Sequence, residues 1–218
     1  MKLLNIKTII FDYDGTIHDS FFIYQKAFLE AYDYLVNKKA VPNRIWKSKE
    51  VKKFLGQNPK DMWESFEPKL SEEDRQKASS IISQSMKTQI EHHEAKLYDG
   101  ALEMLGYLKK QGYNLIYLSN SKRYYMDANK TEFNLEDYFD QMICSEDYDF
   151  ISKTDIIKKI RETLIEKIVI IGDRIHDINA GYENDIVTIS CDYGYGDSSE
   201  LQNATYHINN ITELKDYF

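Results

Sequence analysis

The strongest constraint on the fold is an alternation in the second half of the chain. Short apolar runs at Asn114 to Leu118, Gln141 to Cys144, Lys167 to Ile171 and Ile186 to Ser190 are separated by amphipathic patterns of helical period. Unbroken apolar runs of strand length suit strands buried on both faces, and strands alternating with helices build βαβ units around a parallel sheet. An earlier run, Thr8 to Phe11, has the same character and stops at Asp12-Tyr13-Asp14-Gly15-Thr16. The expected class is α/β, with a Rossmann-like parallel sheet as core.

Between that first run and the repeating units, the chain changes character. From Ser20 to about Glu94 the pattern is helical throughout. Phe21, Tyr24, Phe28, Ala31, Tyr32 and Leu35 share one face of a first helix. A looser stretch from Val41 to Lys53 holds Pro42 and the basic residues Arg44, Lys47, Lys49, Lys52 and Lys53. Asn58-Pro59 has the form of an N-cap with proline at the first helical position, and Ser71 with Asp74 resembles a capping box that opens a long helix. We expect a core from residues 1–17 and 96–218 and a helical cap from residues 18–95. An insertion after the first strand rises from the carboxyl edge of the sheet, where open α/β sheets bind ligands.

That edge collects the chemistry-bearing residues. Asp12 and Asp14 lie at a strand end, and like charges this close call for a metal ion or a phosphate-metal pair between them. The same residues also read as a plain Asp-Gly turn with solvated carboxylates. Other strand ends add Ser119-Asn120, then Asp173 with Asp177 one helical turn further on, while Lys153 follows the loop after the third run. Taken alone, Ser119-Asn120 is a strand-terminating turn. His92 and His93 are adjacent, so on a helix they point about 100° apart and do not chelate as an i, i+4 pair would.

Composition narrows the function. With 218 residues, 42% of them hydrophobic, the chain fills a real core, and a net charge of −8 argues against a general nucleic-acid surface. Cys144 and Cys191 form no CxxC or Cys/His cluster and read as reduced core thiols. There is no apolar segment of signal-peptide or membrane-spanning length, so the expected location is cytoplasmic, without nucleic-acid or membrane partners.

In this order the motifs resemble those of the haloacid dehalogenase superfamily: DxDGT at Asp12 to Thr16, a serine at Ser119, a lysine at Lys153 and GDxxxD at Gly172 to Asp177. The helical insertion, Tyr98-Asp99-Gly100, GDRIHDINAG and the YGYG loop at Tyr193 to Gly196 look like its phosphoglycolate phosphatase-like subgroup, which has a helical cap. One departure is that Ser152 and Thr154 flank Lys153, where the family pattern has glycine and proline.

The resemblance implies a Mg²⁺-dependent phosphatase acting on a small phosphorylated metabolite through an aspartyl-phosphate, as a monomer or homodimer. Asp12 would be the nucleophile and Asp14 the acid-base, with Ser119 and Lys153 completing the catalytic set. Asp12, Asp14 through its main-chain carbonyl, Asp173 and Asp177 would serve the metal. Thr16, Asn120, Gly56 and Gln57 are the expected substrate contacts; His18, Tyr24 and Lys53 are further candidates, and the basic segment Arg44 to Lys53 could supply a cation to an anionic substrate. The alternatives are a sugar phosphomutase resembling β-phosphoglucomutase and a non-catalytic phosphoryl-binding domain.

Overall fold

The computed structural model describes residues 2–165 and 167–218. Met1 and Glu166, which the expected core ranges include, lie outside the described residues. Six strands, β1 (Thr8–Phe11), β2 (Asn114–Ser119), β3 (Gln141–Cys144), β4 (Ile168–Gly172), β5 (Val187–Cys191) and β6 (Tyr206–Ile208), form one sheet in the order β3-β2-β1-β4-β5-β6. Every pairing is parallel, with Ile9 opposite Leu115 on one side and Val169 on the other.

The unbroken apolar runs have a direct explanation, because both faces of the sheet are covered. Ile9, Phe11, Tyr117, Val169 and Ile171 belong to the larger core. Alternate residues Ile10, Ile116, Leu118 and Ile170 pack on the other face against Ile156, Ile157 and Ile160 of α7 (Lys153–Ile160). Strand order reverses direction at β1 and β4, and the crevice at the carboxyl ends of such a pair is where doubly wound sheets hold ligands.

The segment between β1 and α5 (Ala101–Lys110) is helical: α1 (Phe21–Asn37), α2 (Ser48–Lys52), α3 (Pro59–Ser65) and α4 (Glu72–Glu91). The expected caps form, since Asn58 Oδ1 accepts from Asp61 N at 3.0 Å and Ser71 Oγ accepts from Asp74 N at 3.2 Å. Helices α1 and α4 pack through Ala27, Phe28 and Ala31 against Ala78, Met86 and Ile90, and Gln89 Nε2 donates to Ile23 O at 2.9 Å in that interface. The loose stretch is pinned by Trp46, whose ring meets Phe28 edge-on at 4.9 Å.

Helix α2 lies in the stretch read as loose. Its five residues bury only Val51, too little for any periodicity to show. After α6 (Arg123–Phe133), α7 and α8 (Ile175–Glu183), a short α9 (Ser198–Leu201) precedes β6. Among the described residues no helix is long and apolar enough to cross a membrane.

Candidate active site

Each strand of the central pair delivers an acid. Asp12 follows β1 and its backbone N–H donates to Ile171 O at 2.9 Å, which ties the end of β1 to β4. Asp173 follows β4, and Asp177 sits in the first turn of α8. Asp12, Asp173 and Asp177 are all buried, and each offers a carboxylate oxygen within 4.8 Å of the others. Lys153, at the start of α7 and 3% exposed, bridges two of them: its Nζ lies 2.7 Å from Asp12 Oδ1 and 2.6 Å from Asp177 Oδ1. Asp177 Oδ2 accepts from Arg174 N at 3.1 Å, so both its oxygens are engaged and it anchors the lysine.

One lysine cannot balance three buried carboxylates. Burial and the charge of Asp177 push Asp12 up to about 7, against the pull of Lys153. Burial, with Asp12 and Asp177 nearby, holds Asp173 well above the usual carboxylate range. Burial alone would lower Lys153, but Asp12 and Asp177 outweigh it and the ammonium stays charged.

A hard divalent cation fits this donor set. Asp173 Oδ1 is buried without a hydrogen-bond partner, while its Oδ2 accepts from Tyr195 N at 2.6 Å. The backbone closes around that carboxylate: a Cβ on Gly15, where φ is +82°, would stand 2.0 Å from Asp173 Oδ2, and one on Gly194 would stand 2.3 Å from Asp173 Cβ. Only glycine allows the two loops to approach so closely. All-oxygen donors of this kind suit Mg²⁺.

Asp14 occupies the rim, with its carboxylate held by Tyr125 of α6, whose hydroxyl donates to Asp14 Oδ1 at 2.6 Å. The same hydroxyl lies 2.8 Å from His18 Nδ1. Its single proton goes to Asp14, so His18 donates from Nδ1. The His18 ring is fully buried and stacks on Tyr13 at 5.0 Å.

A cavity of about 120 Å³ opens above these acids. Asp12, Asp14, Ser119, Asn120 and Lys122 line it from the core, and Tyr24, Gly56, Gln57, Met62 and Trp63 are among the residues that close it from the insertion. Contacts at the loop after α2 help hold the insertion down. Asn120 Nδ2 donates to Gly56 O at 2.9 Å, and the Arg174 guanidinium, paired with Glu200 at 2.8 Å, donates to Leu55 O.

Not every expected contact reaches the cavity. Thr16 is fully buried beneath the YGYG loop, where Tyr193 OH donates to its carbonyl at 2.7 Å, and it does not line the cavity. His18 lies behind Asp14, and Lys53 is exposed away from the cavity. Nor do the basic residues converge there: the Arg44 guanidinium stacks 3.9 Å over Trp46 and pairs with Glu50, and Lys52 sits 4.8 Å over Phe21. The residues that motif reading missed are Tyr125, Arg174 and Tyr195. Arg174 and Tyr195 stood beside or inside recognised motifs, whereas Tyr125 carried no local signal.

Comparisons with known proteins point to one family. Residues 9–191 match the family described as haloacid dehalogenase-like hydrolase. A curated relative, pyrophosphatase PpaX of Bacillus mycoides, is 23% identical over 193 residues, covering 86% of this chain and 84% of its own. A solved structure described as a predicted phosphatase from Clostridium acetobutylicum superposes with a TM-score of 0.78 at 26% identity over 97% of both chains. Another, described as a predicted phosphoglycolate phosphatase from Haemophilus somnus, gives 0.79 at 18% identity over 97% of both chains, a likeness of fold. With the match spanning both central strands and all four motif positions, the chain belongs to the haloacid dehalogenase-like hydrolase family.

Proposed function

We propose that the protein is a Mg²⁺-dependent phosphatase that hydrolyses a small phosphorylated metabolite through an aspartyl-phosphate on Asp12. The observation that carries this reading is Asp12, paired with the buried Lys153 at 2.7 Å and lining the same cavity as Asp14 and Ser119. An Asp12 oxygen attacks phosphorus and the ester P–O bond breaks, while Asp14 protonates the departing oxygen. Water then gives a proton to the Asp14 carboxylate and attacks the same phosphorus, freeing Asp12 and phosphate. Lys153 keeps Asp12 oriented and neutralises the phosphoryl group from below, and Ser119, lining the cavity, donates to a phosphoryl oxygen. Asp12, Asp173 and the main-chain carbonyl of Asp14 would hold Mg²⁺, with Asp177 fixing Lys153 behind them. A bound Mg²⁺ supplies charge neutralisation on the phosphoryl oxygens.

Residues 18–95 act as the cap that covers the substrate while the phosphoryl group passes to Asp12, over a core of residues 1–17 and 96–218, in a cytoplasmic protein. Gly56, Gln57 and Asn120 contact substrate at the seam between the two, where all three line the cavity. A phosphomutase needs a second acid-base pair from the cap. Among the described residues, the insertion lines the cavity with no Asp, Glu or His, so that reading gains no support.

The test is Asp12→Asn, assayed for phosphate release from an aryl phosphate in Mg²⁺. We expect a loss of at least about 10³-fold with the circular dichroism spectrum unchanged, because the step has no other nucleophile. Retained turnover would sink the mechanism.

A further inference from the structure

We infer that the ester cleaved here carries an uncharged, apolar or aromatic leaving group rather than a second anionic group. This rests on the phosphatase reading and concerns what lies at the far end of its cavity. The wall opposite the acids is built by Phe54, Pro59, Met62, Trp63, Ile82 and Met86. Its polar groups are neutral and largely satisfied internally. Trp63 Nε1 donates to Ser79 Oγ at 2.6 Å, and Gln57 donates to Lys53 O at 2.9 Å and accepts from Ser65 Oγ at 3.3 Å.

No lysine, arginine or histidine of the insertion lines the cavity among the described residues. Among the described residues the lining cation is Lys122, which comes from the strand-end loop that carries Ser119 and not from the wall. Against that wall a carboxylate or second phosphoryl group would face mostly thioether, ring and aliphatic carbon, with neutral side chains of the insertion such as Gln57, Ser79 and Ser83 to meet it, which is disfavoured. An apolar group covering the same wall is driven there by its own dehydration. At about 120 Å³, against roughly 10–15 Å³ for a water by the same measure, the space admits a ring or short chain.

The experiment compares kcat/KM for benzyl phosphate, glycerol phosphate, phosphoglycolate and pyrophosphate in saturating Mg²⁺. The first three leave as alkoxides, so a difference among them reads the cavity wall, while pyrophosphate's better leaving group biases against the proposal. We expect benzyl phosphate to exceed phosphoglycolate and pyrophosphate by at least about tenfold, a discrimination typical of one apolar contact surface. A Met86→Lys variant, which places a cation in the wall, should narrow that ratio. Phosphoglycolate or pyrophosphate turned over as fast as benzyl phosphate by the wild-type protein would overturn the inference and leave the phosphatase reading standing. Hydrolysis of none of the four would instead overturn the phosphatase reading, and the inference with it. The wild-type comparison decides the matter even if the lysine variant does not fold.

Discussion

Two carboxylates only two residues apart, Asp12 and Asp14, are held by entirely different means. Asp12 is fixed by charge, through Lys153 at 2.7 Å, whereas Asp14 is fixed by a neutral phenol, Tyr125, at 2.6 Å. That difference would suit the proposed roles, a nucleophile held in line and an acid-base group that changes protonation state without losing its orientation. Removing the phenolic oxygen leaves Asp14 Oδ1 with the longer 3.4 Å contact to His18 Nδ1 and takes from His18 Nδ1 its short contact to Tyr125. Tyr125→Phe should therefore lower kcat by roughly 10²-fold, as small misplacements of a reacting group do, with KM changed little. It should also cost about 1–3 kcal/mol of stability in denaturant titrations, because buried polar groups lose a partner. An unchanged kcat would mean that the turn alone positions Asp14.

Among the elements, the helical insertion matters most through its contacts with the core. It is strapped down at the loop after α2, where Asn120 reaches Gly56 O and Arg174 reaches Leu55 O. At the other end, Tyr195 of the YGYG loop donates to Asp19 at 2.9 Å and accepts from Phe21 N at 3.0 Å, just where α1 begins. Tyr195 N also holds Asp173, so one loop touches both the acid cluster and the root of the insertion. If the insertion opens to admit substrate, the Gly56 contact is one that must break. Asn120→Ala should remove about 1 kcal/mol from the closed arrangement, the net worth of one such bond. Hydrogen exchange of residues 54–58 should then quicken by about fivefold, and KM should rise. Exchange as slow as in the wild-type protein would show that Asn120 does not hold the insertion closed.

For the whole molecule, the buried acids should make stability depend on pH, and on a divalent cation if one binds them. Asp12 titrates near 7 in the folded chain and near 4 when unfolded, so its protonated form is favoured by folding. The stabilisation this gives is fully present below about pH 4 and is lost as pH rises to about 7, and Asp173, raised for the same reason, acts in the same direction. In the absence of divalent cations the site should thus contribute less to stability at pH 8 than at pH 5. A cation that binds the ionised cluster reverses the effect. Mg²⁺ should raise Tm at pH 8 by several degrees and at pH 5 by little, as thermal denaturation at the two pH values would report. An equal rise at both would show that Mg²⁺ binding does not depend on ionising these acids.

What the sequence by itself determined is the part governed by local physics. The run Thr8 to Phe11 became β1 with those ends, and Asn58 and Ser71 cap their helices through their own side chains, because periodicity and capping act over a few residues. The acids at strand ends were legible for the same reason, since a parallel sheet brings successive carboxyl ends to one edge. Tertiary structure alone decided the rest. Tyr125 meets Asp14 across 111 residues of chain, and nothing near either residue announces it. Thr16 read as a substrate contact from its motif, yet the distant YGYG loop covers it. Met62 and Trp63 resemble ordinary core residues, and only the way α3 and α4 face the acids that follow β1 turns them into the wall of a cavity. Apolar side chains are chosen alike for a core and for a binding wall, so the sequence shows that they are buried and the fold decides against what.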